Sequence, residues 1–197
     1  MLLRLVAFIT LCLVCSCGKN KEETLPSSTT AFAIPNVAFA ALHDHAKHKL
    51  DWNVLDEVSE LIFERIKKQE AFKLVKTKNL SKQLSIPSNF DHLKEVLYGN
   101  DFVVFLELLE HHEILKETSK HLEISLRIQT IDLRELSPKV ILREVIHDSH
   151  FMPNSAYFTQ VSWKEDGYEV SPIGMAHSNF AKKISRRIED IILLNKK

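Results

Sequence analysis

The sequence predicts an α+β domain with a single small sheet of about five strands, helices packed on that sheet, and a C-terminal helix that covers it. Two patterns carry this prediction. Apolar and polar residues alternate strictly over residues 122–132, which is typical of a strand with one face in water. Residues 171–197 instead repeat their apolar residues at helical spacing. The predicted order β-α-β-(α)-β-β-β-α favours one central sheet with helices on a face.

The first half of the domain is predicted to contain two strands and three helices. Residues 31–42 are apolar and favour a strand, but Pro35 interrupts them, so we expect this strand to be short or at an edge. Residues 51–69 have apolar positions on one helical face, and Asp51 or Asn53 can cap that helix. The other predicted elements are a short strand at residues 72–75 and short helices near residues 78–84 and 91–98.

The second half is predicted to form three consecutive strands and the final helix. Residues 102–109 are almost continuously apolar, which indicates a strand buried on both faces. Residues 139–150 are the predicted hairpin partner of the alternating strand. Ser171 followed by Pro172 is typical of a helix N-cap and first helical position, so the last helix begins there.

Composition excludes several classes of function. The 197 residues contain 26 basic and 26 acidic side chains, so the formal charge is zero, and the chain lacks the basic surface of a dedicated nucleic-acid-binding protein. With only four glycines, phosphate-binding glycine loops are nearly excluded, and no Gly-x-Ser-x-Gly or Walker pattern occurs. The apolar fraction of 45% is enough to build a core.

The N-terminus has the pattern of a bacterial lipoprotein signal peptide. Arg4 precedes an apolar run of ten residues, which is too short to span a bilayer but has the length of a signal-peptide core. The segment 13–17 (LVCSC) resembles a lipobox, so residues 1–16 are predicted to be removed and Cys17 to carry the lipid. Lipidation at Cys15 is the less favoured alternative because Val14 is bulky. The alternative interpretation of this segment, in which no lipid is attached, is an ordinary secretory signal or a core helix.

Residues 17–30 are predicted to form the lipidated cysteine and a flexible polar tether, and residues 31–197 a single periplasmic domain. Cys17 would be the only cysteine of the mature chain, so no internal disulfide is expected. Gly18 is not the aspartate of an inner-membrane retention signal, which favours the outer membrane, facing the periplasm. The covalent lipid is the only attached group we expect; no cofactor is predicted.

Ten histidines raise the question of a metal site, because imidazole is a common zinc ligand. No His-Glu-x-x-His helix is present, and on a strand the two histidines of the segment 147–150 would point to opposite faces. We therefore assign no metal site and no catalytic residue. The candidates, should a metal bind, are His43, His45, His48, His147 and His150.

Two further polar segments have a structural and a functional interpretation. His111 and His112 follow the buried strand, where they form either a polar strand exit or a pH-sensitive pair. Ser149 lies between Asp148 and His150, but neighbouring strand residues face opposite ways, which argues against nucleophilic catalysis.

Residues 151–168 are long for a loop and rich in aromatic residues. Long loops in compact domains are often functional, and aromatic side chains are enriched at protein interfaces. The rings either pin this loop to the core or form a surface for a partner. The candidate partner-binding residues are Phe151, Tyr157, Phe158, Trp163 and Tyr168.

Four stretches of the chain resemble a known family: residues 131–134 (IDLR), 146–151 (IHDSHF), 171–177 (SPIGMAH) and 186–194 (RRIEDIILL). Together with the alternating strand they resemble an uncharacterised chlamydial family of predicted lipoproteins. In element order the chain is also similar to the small α/β domain of the TolB N-terminal region, the curli secretion lipoprotein and the penicillin-binding-protein activator lipoproteins. This likeness implies a periplasmic domain that docks on another envelope protein, and no active-site residue carries over.

Three hypotheses of function follow from the sequence. The favoured one is a lipid-anchored envelope protein that binds another envelope component and catalyses nothing. The second is a metal-dependent hydrolase that uses the histidine-rich segments. The third is a subunit of an oligomeric secretion or assembly device.

Overall fold

The computed structural model describes residues 34–46, 50–77, 91–153 and 161–196. They form a five-stranded mixed sheet in the order β2-β1-β3-β4-β5, with a C-terminal helix packed on it, which confirms the predicted α+β class. The elements are β1 (Asn36–Asp44), α1 (Val54–Lys67), β2 (Lys73–Lys76), α2 (Asp91–Val96), β3 (Phe102–Lys116), β4 (Ser119–Asp132), β5 (Lys139–Met152), a 3-10 turn (Tyr168–Val170) and α3 (Pro172–Leu194).

The first strand differs from the expectation that Pro35 would make it short or peripheral. β1 has nine residues and lies inside the sheet, parallel to both β2 and β3. Pro35 directly precedes the strand, where its missing N–H removes no bond from the ladder. Its carbonyl still accepts a hydrogen bond from the backbone N–H of Lys73 at 2.9 Å, so proline begins the strand instead of breaking it.

Helices cover both faces of the sheet to different extents. The face that α1 and α3 cover, here called the inner face, holds the main core and includes Phe39, Leu106, Ile128 and Ile184. The opposite outer face has a smaller core around Phe105, which α2 helps to cover. β4 alternates as predicted, but its polar side is not fully exposed to water, because Ser125 and Gln129 on the outer face are also buried.

Both helix starts predicted from the sequence are present. Asn53, not Asp51, caps α1, and its side-chain oxygen accepts a hydrogen bond from the N–H of Asp56 at 2.9 Å. Ser171 caps α3 and accepts from the N–H of Gly174 at 3.1 Å. Gly174 is required there, since a Cβ at this position would lie 2.0 Å from the carbonyl oxygen of Tyr168.

β3 continues seven residues beyond its predicted end, and a β-bulge decides which of its polar residues are buried. The pairing with β4 shifts between Leu108 and Glu110, so the extra residue reverses the alternation along β3. As a result Glu110 and His112 point to the outer face and His111 points to the inner face. A chain without the bulge would place His111 outside.

Several sequence predictions lie outside the described residues. These are the signal peptide, Cys17 and the tether, the short helix near residues 78–84, and the side chains of His48, Tyr157 and Phe158. Within the described ranges, none of the helices has the length and apolar character needed to cross a membrane.

Candidate functional site

A chain of buried polar side chains, here called the histidine cluster, links α1, β3, the 3-10 turn and α3. His177 on α3 places its Nδ1 2.8 Å from Oε1 of Glu57 on α1 and its Nε2 2.9 Å from Nε2 of His111 on β3. The hydroxyl of Tyr168 contacts the same carboxylate oxygen of Glu57 and lies 3.0 Å from Nδ1 of His177. Trp52 donates its Nε1–H to Oε2 of Glu57 at 2.8 Å.

The carboxylate of Glu57 is the shared hydrogen-bond acceptor of the cluster. Trp52 and Tyr168 both donate to its carboxylate, and the short contact with Nδ1 of His177 adds a third donor. Three donors suit an ionised carboxylate, which needs them when it is buried. The Nε2 atoms of His177 and His111 face each other at 2.9 Å, so one of the two must hold a hydrogen for this contact to be a hydrogen bond.

Burial separates the histidine cluster from solvent. The side chains of Glu57 and His177 are both 0% exposed, and His111 is 4% exposed. Burial, followed by the nearby carboxylate of Glu57, raises the pKa of the Tyr168 hydroxyl far above its ordinary value, so Tyr168 stays a hydrogen-bond donor. In this fold, a ligand cannot reach these groups unless α1 and α3 separate.

The sequence interpretation missed this cluster. His111 was expected to be a polar strand exit or part of a pH-sensitive pair with His112, and Glu57 was not among the candidate functional residues. The bulge reverses the alternation of side chains along β3 and so buries His111, and nothing in the local sequence indicates that bulge. The contacts between Glu57 and His177 span 120 positions, so only the packing of α1 on α3 brings them together.

The candidate metal ligands are distributed over several places. His43 and His45 have ring centroids 5.7 Å apart near the end of β1, and Nε2 of His45 lies 2.7 Å from Oε1 of Glu107. His147 and His150 lie on opposite faces of β5, as predicted. Among the described residues no group of three or more His, Cys, Asp or Glu side chains could hold a metal ion.

The described aromatic residues of the segment 151–168 occupy three different environments. Phe151 is exposed on β5 and packs edge-on against His121, with ring centroids 5.9 Å apart. Trp163 is half-buried against the main core. Tyr168 is only 5% exposed and belongs to the histidine cluster, so its ring offers little surface to a partner, and its partner-binding role stays a prediction. The alternative interpretation, in which a ring pins the loop to the core, applies to Tyr168.

An open groove of about 1130 Å³ runs between α1, α3 and residues 163–170. α1 and α3 run in the same direction, because Glu57 at the start of α1 contacts His177 near the start of α3, and Gln69 just beyond α1 contacts Glu189 farther along α3. Arg65 bridges the two helices by donating from Nη2 to Oγ of Ser178 at 2.7 Å. The groove lies directly above the buried histidine cluster, since Tyr168 contributes to both.

Charges are sorted along this groove. Exposed Glu165, Asp166 and Glu169 lie on the turn at one end, next to the half-buried ring of Trp163. Exposed Lys68, Lys182 and Arg186 lie toward the far ends of α1 and α3. Lys164, whose Nζ lies 4.1 Å from the ring centroid of Trp163, and Glu64 near Lys68 reduce this asymmetry, so one end of the groove is predominantly acidic and the other predominantly basic.

Comparisons with solved structures show the fold of the domain and assign no activity. A hypothetical protein of Chlamydia trachomatis, CT253, has the same fold, with a TM-score of 0.71 and 23% identity over 81% of this chain and 98% of that chain. Lipoprotein GNA1162 of Neisseria meningitidis gives a TM-score of 0.46 at 12% identity over 77% of this chain and 99% of its own. A minor lipoprotein of Acinetobacter baumannii gives 0.41 at 11% identity, with 79% and 92% covered.

No curated protein matches the sequence. The solved chlamydial structure confirms the resemblance to an uncharacterised chlamydial family that the sequence stretches indicated. A family model matches residues 23–196, which is nearly all of the chain outside the predicted signal peptide. The chain therefore belongs to the family of unknown function DUF7499.

Proposed function

We propose that this protein is a bacterial envelope lipoprotein, held by lipid on Cys17 at the outer membrane and facing the periplasm, whose domain binds another envelope protein without catalysing a reaction. The groove between α1 and α3 is the proposed binding site. Its occupant is a protein segment with basic residues toward one end and acidic residues toward the other.

The sequence supports the anchor. The ten-residue apolar run, the lipobox-like segment and the polar residues that follow occur in the order that lipoprotein processing needs. One acyl chain binds a membrane reversibly, whereas the several chains of a mature lipoprotein hold it durably, because each buried CH₂ contributes about 0.8 kcal/mol. An anchor of this kind needs no basic membrane-binding surface, which fits the zero formal charge.

The groove is the observation that carries the binding proposal. It is open to solvent, it is lined by charges of both signs, and Trp163 offers an aromatic contact inside it. Aromatic anchors surrounded by polar rims are typical of protein interfaces. The separation of acidic and basic ends favours one orientation of the bound segment. A segment in the reverse orientation would place like charges together at both ends of the groove.

The state of the histidine cluster supports binding over catalysis. Its side chains include the acid, base and hydroxyl groups that catalysis uses, but Glu57 and His177 are fully buried and hydrogen-bonded to one another. We assign this cluster to the stability of the α1–α3 pair that forms the walls of the groove.

Site-specific photocrosslinking in intact cells tests the proposal. A photoreactive residue is placed at Lys68 in the groove or, as a matched control, at Lys120, which is exposed on β4 away from it. We expect a discrete covalent adduct with one envelope protein from position 68 and none from position 120. Equal adducts from both positions, or none from position 68 in folded membrane-bound protein, would refute the assignment.

A further inference from the structure

We propose that the end of the domain where the tether enters, here called the tether end, rests on the lipid surface that holds Cys17. This inference depends on the lipid anchor proposed above, and it concerns a second surface that is separate from the groove. The residues that form it are the start of β1, the turn after α2, the turn between β4 and β5, and the end of α3.

Hydrogen bonds join these four segments at one end of the sheet. The N–H of Asn36 donates to Oδ2 of Asp101 at 2.8 Å, and the N–H of Leu133 donates to the carbonyl of Asp101 at 2.8 Å. Arg134 then donates from Nη2 to the carbonyl of Asn195 at 2.5 Å, which brings in the end of α3. Lys94 of α2 donates to the carbonyl of Glu135.

Exposed apolar side chains concentrate at this end. Leu136 is 99% exposed and Tyr98 is 92% exposed, although the domain buries most of its other large apolar residues. Exposed apolar side chains that gather in one region indicate an interaction surface, and tyrosine is enriched at membrane–water interfaces. Six of the twelve exposed large apolar residues among the described ranges lie here: Ile34, Val96, Tyr98, Leu136, Leu193 and Leu194.

The charges at the tether end are mixed. Asp132 is paired with Arg134 at 2.6 Å. The other basic residues at this end are Lys73, Lys94, Lys139 and Lys196, and the other acidic ones are Glu95, Asp101 and Glu135. Attraction to anionic headgroups is therefore small, and the apolar side chains provide most of the contact. Such a surface adds little to the affinity of an acylated protein, but it fixes the orientation of the domain.

The tether makes this contact geometrically available. Sixteen residues separate Cys17 from Ile34, and with the flexibility that their polar composition predicts, a chain of that length would span roughly 20–24 Å on average. The turn between β3 and β4 lies at the opposite end of the long strands, roughly 44 Å from the tether end for the thirteen residues between Phe102 and Leu115. A domain that rests on its tether end therefore presents the β3–β4 turn to the periplasm.

Matched cysteine labels test this orientation. The mature chain has one cysteine, Cys17, whose thiol is acylated, so Leu136→Cys or Leu115→Cys would introduce a unique reactive thiol. Both leucines are exposed, at 99% and 70%, but they lie at opposite ends of the sheet. Each full-length lipidated variant is placed on vesicles of phosphatidylethanolamine and phosphatidylglycerol and labelled with an environment-sensitive fluorophore.

We expect the label at position 136 to emit at shorter wavelength and to be quenched several-fold less by aqueous iodide than the label at position 115. In the same variants carrying Cys17→Ser, which lack the lipid and are measured without vesicles, the two labels should be quenched to a similar extent. Equal quenching on vesicles would overturn the proposed orientation while leaving the anchor intact. Failure of the unlabelled protein to float with vesicles would instead overturn the anchor itself.

Discussion

His111 and His112 are neighbours on β3, yet they lie in opposite environments. His111 is 4% exposed and hydrogen-bonded to His177 on the inner face, whereas His112 is exposed on the outer face near Glu123. The bulge at Leu109 sets this difference, because it decides which of the two residues points inward. Residue type alone therefore says little about the role of a histidine in this chain.

The same division applies to most of the other described histidines, with the exception of His150, which lies on the inner side of β5 but is partly exposed and lies 3.4 Å from Asp148. Inside, His111 and His177 hold α1, β3 and α3 together through Glu57. Outside, the histidines meet solvent and carboxylates on the surface, as in the pair of His45 with Glu107. The outer-face histidines are His43, His45, His112, His121 and His147.

The largest effect is expected from Glu57→Ala, which removes the acceptor shared by Trp52, Tyr168 and His177. Two buried donors, on Tyr168 and His177, and the half-buried donor of Trp52 would be left without their partner, so we expect the free energy of unfolding to fall by about 3–5 kcal/mol. Urea denaturation of the full chain measures it. Glu60→Ala, which removes only a partly exposed ion pair with Lys164, is the control and should change stability by about 0.5 kcal/mol or less. Equal losses in both variants would mean that the cluster contributes nothing particular.

The two variants His111→Ala and His112→Ala test the difference between the buried and the exposed histidine of β3 directly. We expect a loss of about 2–3 kcal/mol for His111→Ala, because the substitution leaves a cavity and an unpaired Nε2 on His177. For His112→Ala we expect about 0.5 kcal/mol or less. Similar denaturation midpoints for the two variants would contradict the assignment of inner and outer faces.

The sequence predicted the order of elements, the cap at Ser171, the cap at Asn53 as one of two alternatives, and the opposite directions of His147 and His150. These features depend on local chemistry and on periodicity within one element. It could not predict that Glu57 meets His177, since that contact depends on how two helices separated by more than a hundred residues pack together. The interior position of β1 was missed because the sequence pattern does not locate the start of a strand to within one residue. It therefore does not distinguish a proline just before the strand from a proline within it.

A smaller effect on stability is expected from Asp132→Asn. Asp132 is a carboxylate at the tether end, away from the histidine cluster. Burial acts to raise the pKa of Asp132, but hydrogen bonds from Arg134 overcome it and hold that pKa below its usual value. The unfolded chain then binds more protons in acid, so this stabilisation is present above the unfolded pKa near 3.9 and is lost as the pH falls through the folded pKa.

We therefore expect Asp132→Asn to lower the free energy of unfolding by about 1–2 kcal/mol at pH 7. The difference between variant and wild type should shrink toward zero as the pH is lowered below 3. Chemical denaturation at a series of pH values measures it. A difference that does not change with pH would show that the charge of Asp132 adds nothing to stability.

The smallest effect concerns Glu189, a buried carboxylate on α3 that contrasts with Glu57. Within the described part of the chain, Oε1 of Glu189 has no hydrogen-bond partner, whereas both oxygens of Glu57 have donors. Burial, followed by the neighbouring charge of Asp190, raises the pKa of Glu189. Its ionised form is therefore disfavoured in the folded state, a cost that is present above the folded pKa and disappears in acid.

We expect Glu189→Gln to stabilise the protein by about 0.5 kcal/mol at pH 7, at the scale of small single-site effects. The gain should vanish below about pH 4, where glutamate is protonated in both states. Paired denaturation curves at pH 7 and pH 4 measure it. A loss of stability at pH 7 would mean that the ionised carboxylate is better satisfied than its contacts indicate.

The central claim is that the groove, and not the outer-face histidines, gives this protein its binding function. The most direct test is the yield of the adduct formed from position 68 in intact cells, compared between two variants of the full chain. One variant alters the groove by Trp163→Ala and Arg186→Glu, and the other replaces His43, His45 and His147 by glutamine. We predict a several-fold loss of adduct in the groove variant and an unchanged yield in the histidine variant. The reverse result would contradict the account.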